Sequence, residues 1–372
     1  MQEIRISEAN AGQRLNKFLG KYLDAAPQSF IYKMLRKKNI KWNNSKASGN
    51  ELLNAGDLIQ IYMTDETIAK FRKDGNVPLM KKADEKQSGG NQEGLFLGKK
   101  NSYNKTETKT SLKAGMENPL YDVEILYEDM DMLILNKPVG VLSQKAVAGD
   151  YSLNEWIVDY YHEKADVDSF FVPSVCNRLD RNTSGIILAG MSLKGSRILS
   201  RILKDRTLDK YYLTIVFGRV EKASTIKGFL TKKASHNQVV VYDSLEQAHA
   251  NGVEKPAFIE TQYEPLSYGS FQNMEFTLLK VKLITGKTHQ IRAHLCFAGH
   301  PIVGDGKYGR KNVNTILKQE FGLKHQLLHA YEVIFPKQEK ELSDRLLGKV
   351  FHAPLPEEFA KAAQVLGISI EK

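Results

Sequence analysis

Between about residues 65 and 118 the chain loses the apolar side chains that a core needs and fills with Lys, Asn, Gly, Gln, Ser and Thr. Ser88-Gly89-Gly90-Asn91 and Lys99-Lys100-Asn101-Ser102 are its low points of hydrophobicity, and Leu95-Phe96-Leu97 is too short a cluster to organise the segment. A flexible linker is expected there. The 372 residues should therefore fold as two units, 1–64 and 119–372, each with its own core.

The remaining composition narrows the class. A 42% hydrophobic content suffices for those cores, yet no stretch approaches the roughly 20 apolar residues that cross a bilayer. The start, Met1-Gln2-Glu3-Ile4-Arg5, lacks an apolar signal region, so a cytoplasmic protein with no membrane partner is expected. Cys176 and Cys296 have neither the number nor the spacing of a disulfide framework or zinc site, and each is read as a small buried hydrophobe. His289 and His294, five apart with no carboxylate at ligand spacing, suggest no metal either. A net charge of +10 suits a polyanionic partner.

In the first unit, Leu15, Phe18, Leu19 and Tyr22 recur at i, i+3, i+4 and i+7 and predict an amphipathic helix. Ser29 is placed to cap a second helix through Ile31 and Leu35, which carries Lys33, Arg36, Lys37 and Lys38 along its face and exit. A small β ribbon then runs over Ile40–Trp42, the Asn43-Asn44 turn and Leu58–Tyr62. Such a cationic face fits phosphates; it also fits a helix side that simply stays solvated.

The second unit holds the chemistry. Asn177-Arg178-Leu179-Asp180-Arg181-Asn182-Thr183-Ser184-Gly185-Ile186 sets one carboxylate among arginines, hydroxyls and a glycine, just before an apolar strand. An active-site aspartate reads this way, and so does a buried ion pair. Lys137 follows the strand Met132–Leu135, where it would either touch a phosphate or be an ordinary surface lysine. Ser152 and Ser192 are placed to cap helices. Lys210–Val216 reads as a strand, which sends Tyr211 and Tyr212 to opposite faces. Thr288 is the expected cap of a helix with Ile291, Leu295 and Ala298 inward, and His289 and Arg292, three apart near its positive end, are placed to meet an anion together.

Taken in order, these segments resemble the RluA-type pseudouridine synthase family. The resemblance rests on Glu128-Asp129 with Asn136-Lys137-Pro138, Arg178-Leu179-Asp180 with Thr183-Ser184-Gly185, and Lys210, Tyr212 and Gly218. It continues through Gly286, His289-Gln290-Ile291-Arg292, His294, His300–Asp305, Tyr308-Gly309, Leu328-His329-Ala330 and Ala353–Pro356. Arg14–Leu19, the basic second helix, Lys41–Asn44 and Ala55-Gly56-Asp57 similarly resemble an S4 RNA-binding domain. Two positions depart from the pattern: Asn177 stands where the family usually has His, and Lys287 where it often has Arg.

The resemblance implies an α+β fold, a mixed or antiparallel sheet flanked by helices around a central cleft, with a small S4-like domain beside it. It implies isomerisation of uridine to pseudouridine in RNA without a cofactor; separately, no metal and no protein partner are expected, and a monomer is. Large-subunit (23S) ribosomal RNA is favoured over transfer RNA, because S4-bearing members mostly act there. Asp180 would be the anion that attacks the ribose C1′ or assists a glycal-type path, Arg292 would hold it, and Tyr212 would stack on the base and take its C5 proton. RNA contacts are expected from Arg178, Arg181, Thr183, Lys137, Lys210, Lys287, His289 and Gln290, and from Arg14, Lys33, Arg36, Lys37 and Lys38 in the first unit. No clear second carboxylate is placed to activate water, which fits a detached uracil that recombines. A non-catalytic RNA-binding ribosome-assembly factor, with Asp180 merely structural, and a base-excising nucleosidase are the competing readings.

Overall fold

The computed structural model describes residues 2–7, 10–72, 123–147, 149–164, 171–233 and 238–370. Most of the expected linker, including Leu95-Phe96-Leu97, lies outside them.

The first unit builds a four-stranded antiparallel sheet from β1 (Gln2–Arg5), β2 (Ile40–Trp42), β3 (Ser45–Lys46) and β4 (Leu58–Ile61), ordered β1-β4-β2-β3. Helix α1 (Leu15–Tyr22) buries all four residues of its expected stripe against it. Asn43 and Asn44 both take positive φ, 48° and 64°, which suits a tight turn between right-twisted strands. Helix α2 (Gln28–Arg36) starts one residue before the expected cap: Pro27 occupies the N-cap position, so Ser29 lies inside the first turn. Residue 64 does not end the unit. Thr64 caps α3 (Asp65–Lys70), whose Ile68 is fully buried in the same core, because one more apolar side chain was available to close it.

The second unit is one eleven-stranded sheet with helices against it. Its path opens with β5 (Glu124–Glu128) and β6 (Met132–Lys137), then α4 (Leu153–Lys164), β7 (Ser174–Val175), β8 (Ser184–Gly190) and α5 (Leu193–Lys204). There follow β9 (Asp209–Phe217), β10 (Ser224–Lys233), β11 (Gln238–Tyr242), α6 (Leu245–Ala250), β12 (Ala257–Phe271) and β13 (Met274–Leu283). The chain closes with α7 (Gln290–Phe297), α8 (Lys311–Phe321), β14 (Leu328–Ile334), β15 (Val350–His352) and α9 (Glu357–Val365). The strand order is β11-β10-β12-β13-β9-β14-β8-β6-β5, with β15 on β14 and β7 on β8.

All neighbours are antiparallel except β14 and β8, which run parallel through His329↔Ser184 and Ala330↔Gly185. Gly185 makes that approach possible: its φ is +107°, and a Cβ there would sit 2.2 Å from the Ala330 carbonyl oxygen. His329, fully buried, bridges the Ser184 hydroxyl at 2.8 Å and the Ala353 carbonyl at 3.1 Å, and burial pulls its pKa down to about 4. The central seam is therefore fixed from both sides just past Asp180.

Ser192 caps α5 as expected, accepting from Gly195 N–H. Ser152 does something else: its hydroxyl donates to Glu155 Oε2 at 2.6 Å, and the same carboxylate oxygen accepts the Ser152 N–H at 3.1 Å. Both cysteines are free and only half-buried. Among the described residues no helix is long and apolar enough to cross a membrane, and no group of three His, Cys, Asp or Glu could hold a metal ion.

Candidate active site

Asp180 sits in the loop between β7 and β8, and its backbone is clamped on both sides by the loop that leaves β6. The Ser143 hydroxyl donates to the Leu179 carbonyl at 2.9 Å and accepts the Leu179 N–H at 3.0 Å. On the other side, the Arg181 carbonyl accepts from Gly140 N–H at 3.0 Å and from Lys137 Nζ at 3.1 Å. One residue thus projects between two fixed neighbours, its side chain 26% exposed.

Lys137 corrects both sequence readings, since it neither meets solvent nor is free for a phosphate. It is fully buried, and its ammonium also donates to the Pro138 and Val141 carbonyls, each at 2.9 Å. Three acceptors match the three N–H bonds of a lysine cation. Burial pulls its pKa down to about 7, against the opposing pull of the Asp180 charge.

Facing Asp180 is the start of α7. Thr288 does not cap it; His289 holds the N-cap position with left-handed backbone, φ 55°. The N-cap makes no side-chain hydrogen bond, and the buried Gln290 side chain instead braces the preceding turn, accepting from Lys287 N–H at 3.1 Å and the Thr285 hydroxyl at 2.9 Å. Its amide donates to the Glu260 carbonyl and Thr261 hydroxyl, both at 3.0 Å. Every polar group of Gln290 is so committed to the protein, which removes it from the expected RNA contacts. Thr183 is removed likewise, being buried beneath Gln326.

With the helix start fixed, Arg292 Nη1 reaches Asp180 Oδ2 at 2.7 Å. The other edge of the guanidinium is gripped by Asp305 through Nε to Oδ2 at 2.7 Å and Nη2 to Oδ1 at 2.8 Å. Asp305 is wholly enclosed, and its Oδ1 also accepts from the Lys307 and Tyr308 N–H groups. Burial alone would raise its pKa; the Arg292 guanidinium outweighs that and holds the carboxyl below its usual range. Burial likewise works against the Arg292 charge, but Asp305 and then Asp180 raise its pKa further. The expected anion pairing of His289 and Arg292 is present: His289 Nε2 lies 3.8 Å from the same Asp180 Oδ2.

Asp305 is thus a second carboxylate in the network, which the sequence reading did not single out. Its enclosure leaves it no access to water, so it orders the arginine rather than activating a nucleophile. The Gly304-Asp305-Gly306 turn and the nearby arginine were the available signal.

Tyr212 lies on β9 opposite Val281 and Ala330, almost buried in the main core cluster. Burial, and secondarily the Asp180 charge, push its phenol well above the usual range. The free protein therefore keeps Tyr212 protonated, unsuited to act as a base without a relay. Its neighbour Tyr211 faces the other way, beneath Lys280 and Lys282.

Arg178 and Arg181 flank Asp180 as exposed cations, and Lys287 is exposed beside the helix start. Lys210 is half-buried on β9, and burial lowers its pKa. In the first unit Lys33, Arg36, Lys37 and Lys38 are exposed, while Arg14, also exposed, donates to the Asn50 carbonyl at 3.0 Å. Asn177 spans to β8, accepting from Leu188 N–H at 2.7 Å and donating to the Ile186 carbonyl at 3.3 Å. That departure from the family pattern leaves a polar clamp on the loop that carries Asp180.

Residues 131–296 match the protein family described as RNA pseudouridylate synthase. The chain is 30% identical to the ribosomal large subunit pseudouridine synthase C of Vibrio parahaemolyticus, over 90% of this chain and 88% of that one. Its counterpart in Vibrio cholerae is 29% identical, over 95% and 93%. Among solved structures, human RNA pseudouridylate synthase domain containing 4 shares the fold, with a TM-score of 0.51 at 20% identity, covering 67% of this chain and 94% of that one.

Proposed function

This chain belongs to the RluA-type pseudouridine synthase family and isomerises uridine in RNA, and from that premise we propose that its substrate is large-subunit ribosomal RNA. The relatives carry that substrate in their names, and the first unit, read as an S4-like module, offers an exposed basic face suited to structured RNA. The proposal places this enzyme in the cytoplasm, where such RNA is made.

The observation that carries the catalytic assignment is the 2.7 Å contact of Arg292 with Asp180, made by an arginine whose other edge Asp305 already holds. The target nucleotide is extruded into the site, at about a few kcal/mol that contacts to the RNA backbone offset. The N1–C1′ bond breaks, the uracil turns, and a C5–C1′ bond forms while C5 gives up its proton and N1 gains one. Asp180 serves as the anion, by attack at C1′ or along a glycal path. Confinement keeps the detached base at high effective concentration. Tyr212 closes the apolar side of the site, with its proton in place, as a surface for the base.

Asp180→Asn is the test. The variant should bind ribosomal RNA with unchanged affinity and form no pseudouridine; full activity would remove Asp180 from the chemistry, and free uracil in the wild-type reaction would indicate a nucleosidase. Mapping pseudouridine in ribosomal and transfer RNA from cells lacking the gene decides the substrate. Sites missing only from transfer RNA would overturn the ribosomal assignment.

A further inference from the structure

Tyr308 touches three members of the charged network at once. Its backbone N–H donates to Asp305 Oδ1 at 3.1 Å, and its ring lies under the Arg292 guanidinium, 5.2 Å from carbon to centroid. Its hydroxyl lies 3.0 Å from His289 Nδ1 and accepts the Val239 N–H of β11 at 2.8 Å.

That last bond favours one direction for the contact with His289. A backbone N–H can only donate, so it occupies a lone pair of Tyr308 Oη and leaves the phenolic proton to find an acceptor. The His289 Nδ1 lone pair is the acceptor within reach. With Nδ1 unprotonated, the proton of a neutral imidazole resides on Nε2, the nitrogen that faces Asp180 Oδ2 at 3.8 Å. The opposite tautomer would aim a lone pair at that carboxylate and leave the phenolic proton without a protein acceptor. Burial supports this state: it lowers the His289 pKa, with Asp180 opposing, and raises that of Tyr308.

We propose that Tyr308 is a positioning residue that sets the His289 tautomer, so that His289 Nε2–H and Arg292 Nη1–H converge on one oxygen of Asp180 and leave Oδ1 to address the sugar. The inference deepens the isomerase reading and rests on it for its kinetic half alone. Its tautomer half is read in the free protein, so the two can fail separately.

Long-range proton–nitrogen NMR of histidine-labelled wild-type protein, with the His289 signal assigned by its loss in His289→Gln, should show the proton on Nε2. Tyr308→Phe keeps the ring and backbone contacts but loses the hydroxyl. It should shift His289 toward the Nδ1–H form and slow single-turnover pseudouridine formation about tenfold with RNA affinity unchanged. A purely structural tyrosine would instead lower the melting temperature and leave the tautomer alone. Nδ1–H in the wild type overturns the proposal without any variant. A Tyr308→Phe protein with wild-type tautomer, whatever its rate, overturns it as well.

Discussion

Two groups of charges in this protein are built in opposite ways. Around Asp180 the enclosed charges have assigned partners: Arg292 is shared between two carboxylates, and Lys137 is enclosed by three carbonyls. On α2 and its exit, Lys33, Arg36, Lys37 and Lys38 are exposed, and among the described residues none has an ion-pair partner. The first arrangement pays desolvation to hold one geometry, and the second keeps its hydration and acts at a distance. Chemistry needs the former; attraction of a polyanion needs only the latter.

The contrast breaks first at Asp305. Asp305→Ala leaves an enclosed guanidinium half-partnered, and should cost about 3–5 kcal/mol in denaturant unfolding together with most of the activity. Unchanged stability would show that the pair is not held as tightly as its geometry implies. Lys137→Met tests the other enclosed cation through pH. The unfolded chain keeps this lysine proton up to its ordinary value of 10.5, whereas the folded protein gives it up at about 7. Between those values the unfolded state binds the extra proton, so wild-type stability should climb with pH relative to the variant, by up to about 1.4 kcal/mol per pH unit. Parallel stability curves would mean that the carbonyl cage keeps the ammonium charged.

Arg292→Lys keeps the charge and loses the fork that joins Asp305 to Asp180. Turnover should fall roughly tenfold or more while the Kd for RNA holds. The smallest effect on chemistry belongs to the exposed face. Replacing Lys33, Arg36, Lys37 and Lys38 together by alanine should leave the rate on saturating RNA unchanged and flatten the salt dependence of binding by up to about 3 to 4 in log–log slope. A slope that does not move would assign RNA attraction elsewhere on this +10 chain.

How far the sequence disclosed this depended on the range of the interaction. The α1 stripe, the two-tyrosine strand β9 and the pairing of His289 with Arg292 follow from periodicities of a few residues, and all three are present. Asp180 stood out because polar residues crowd it just before an apolar strand. Lys137 was misread because its acceptors at Val141 and Arg181 are set by the tertiary course of a loop, which a strand-end position does not reveal. Gln290 and Thr183 looked available for RNA for the same reason: only the fold shows that the Gln290 carboxamide is bonded internally and that Thr183 is buried beneath Gln326. Thr288 lost the N-cap position to His289, whose left-handed backbone starts the helix one residue later, a shift of one residue that composition cannot rank. The role of Asp305, named only as the end of the His300–Asp305 run, was hidden because its partner lies thirteen residues earlier, across a helix end and a turn.

The parallel seam beside the active site carries a consequence for sequence change. At Gly185 even alanine meets a carbonyl oxygen at 2.2 Å on top of a backbone angle that side chains avoid. Saturation mutagenesis should therefore find that codon intolerant of every replacement while tolerating many at exposed Lys287. Directed evolution toward new RNA targets has to leave this glycine alone and draw its diversity from the rim.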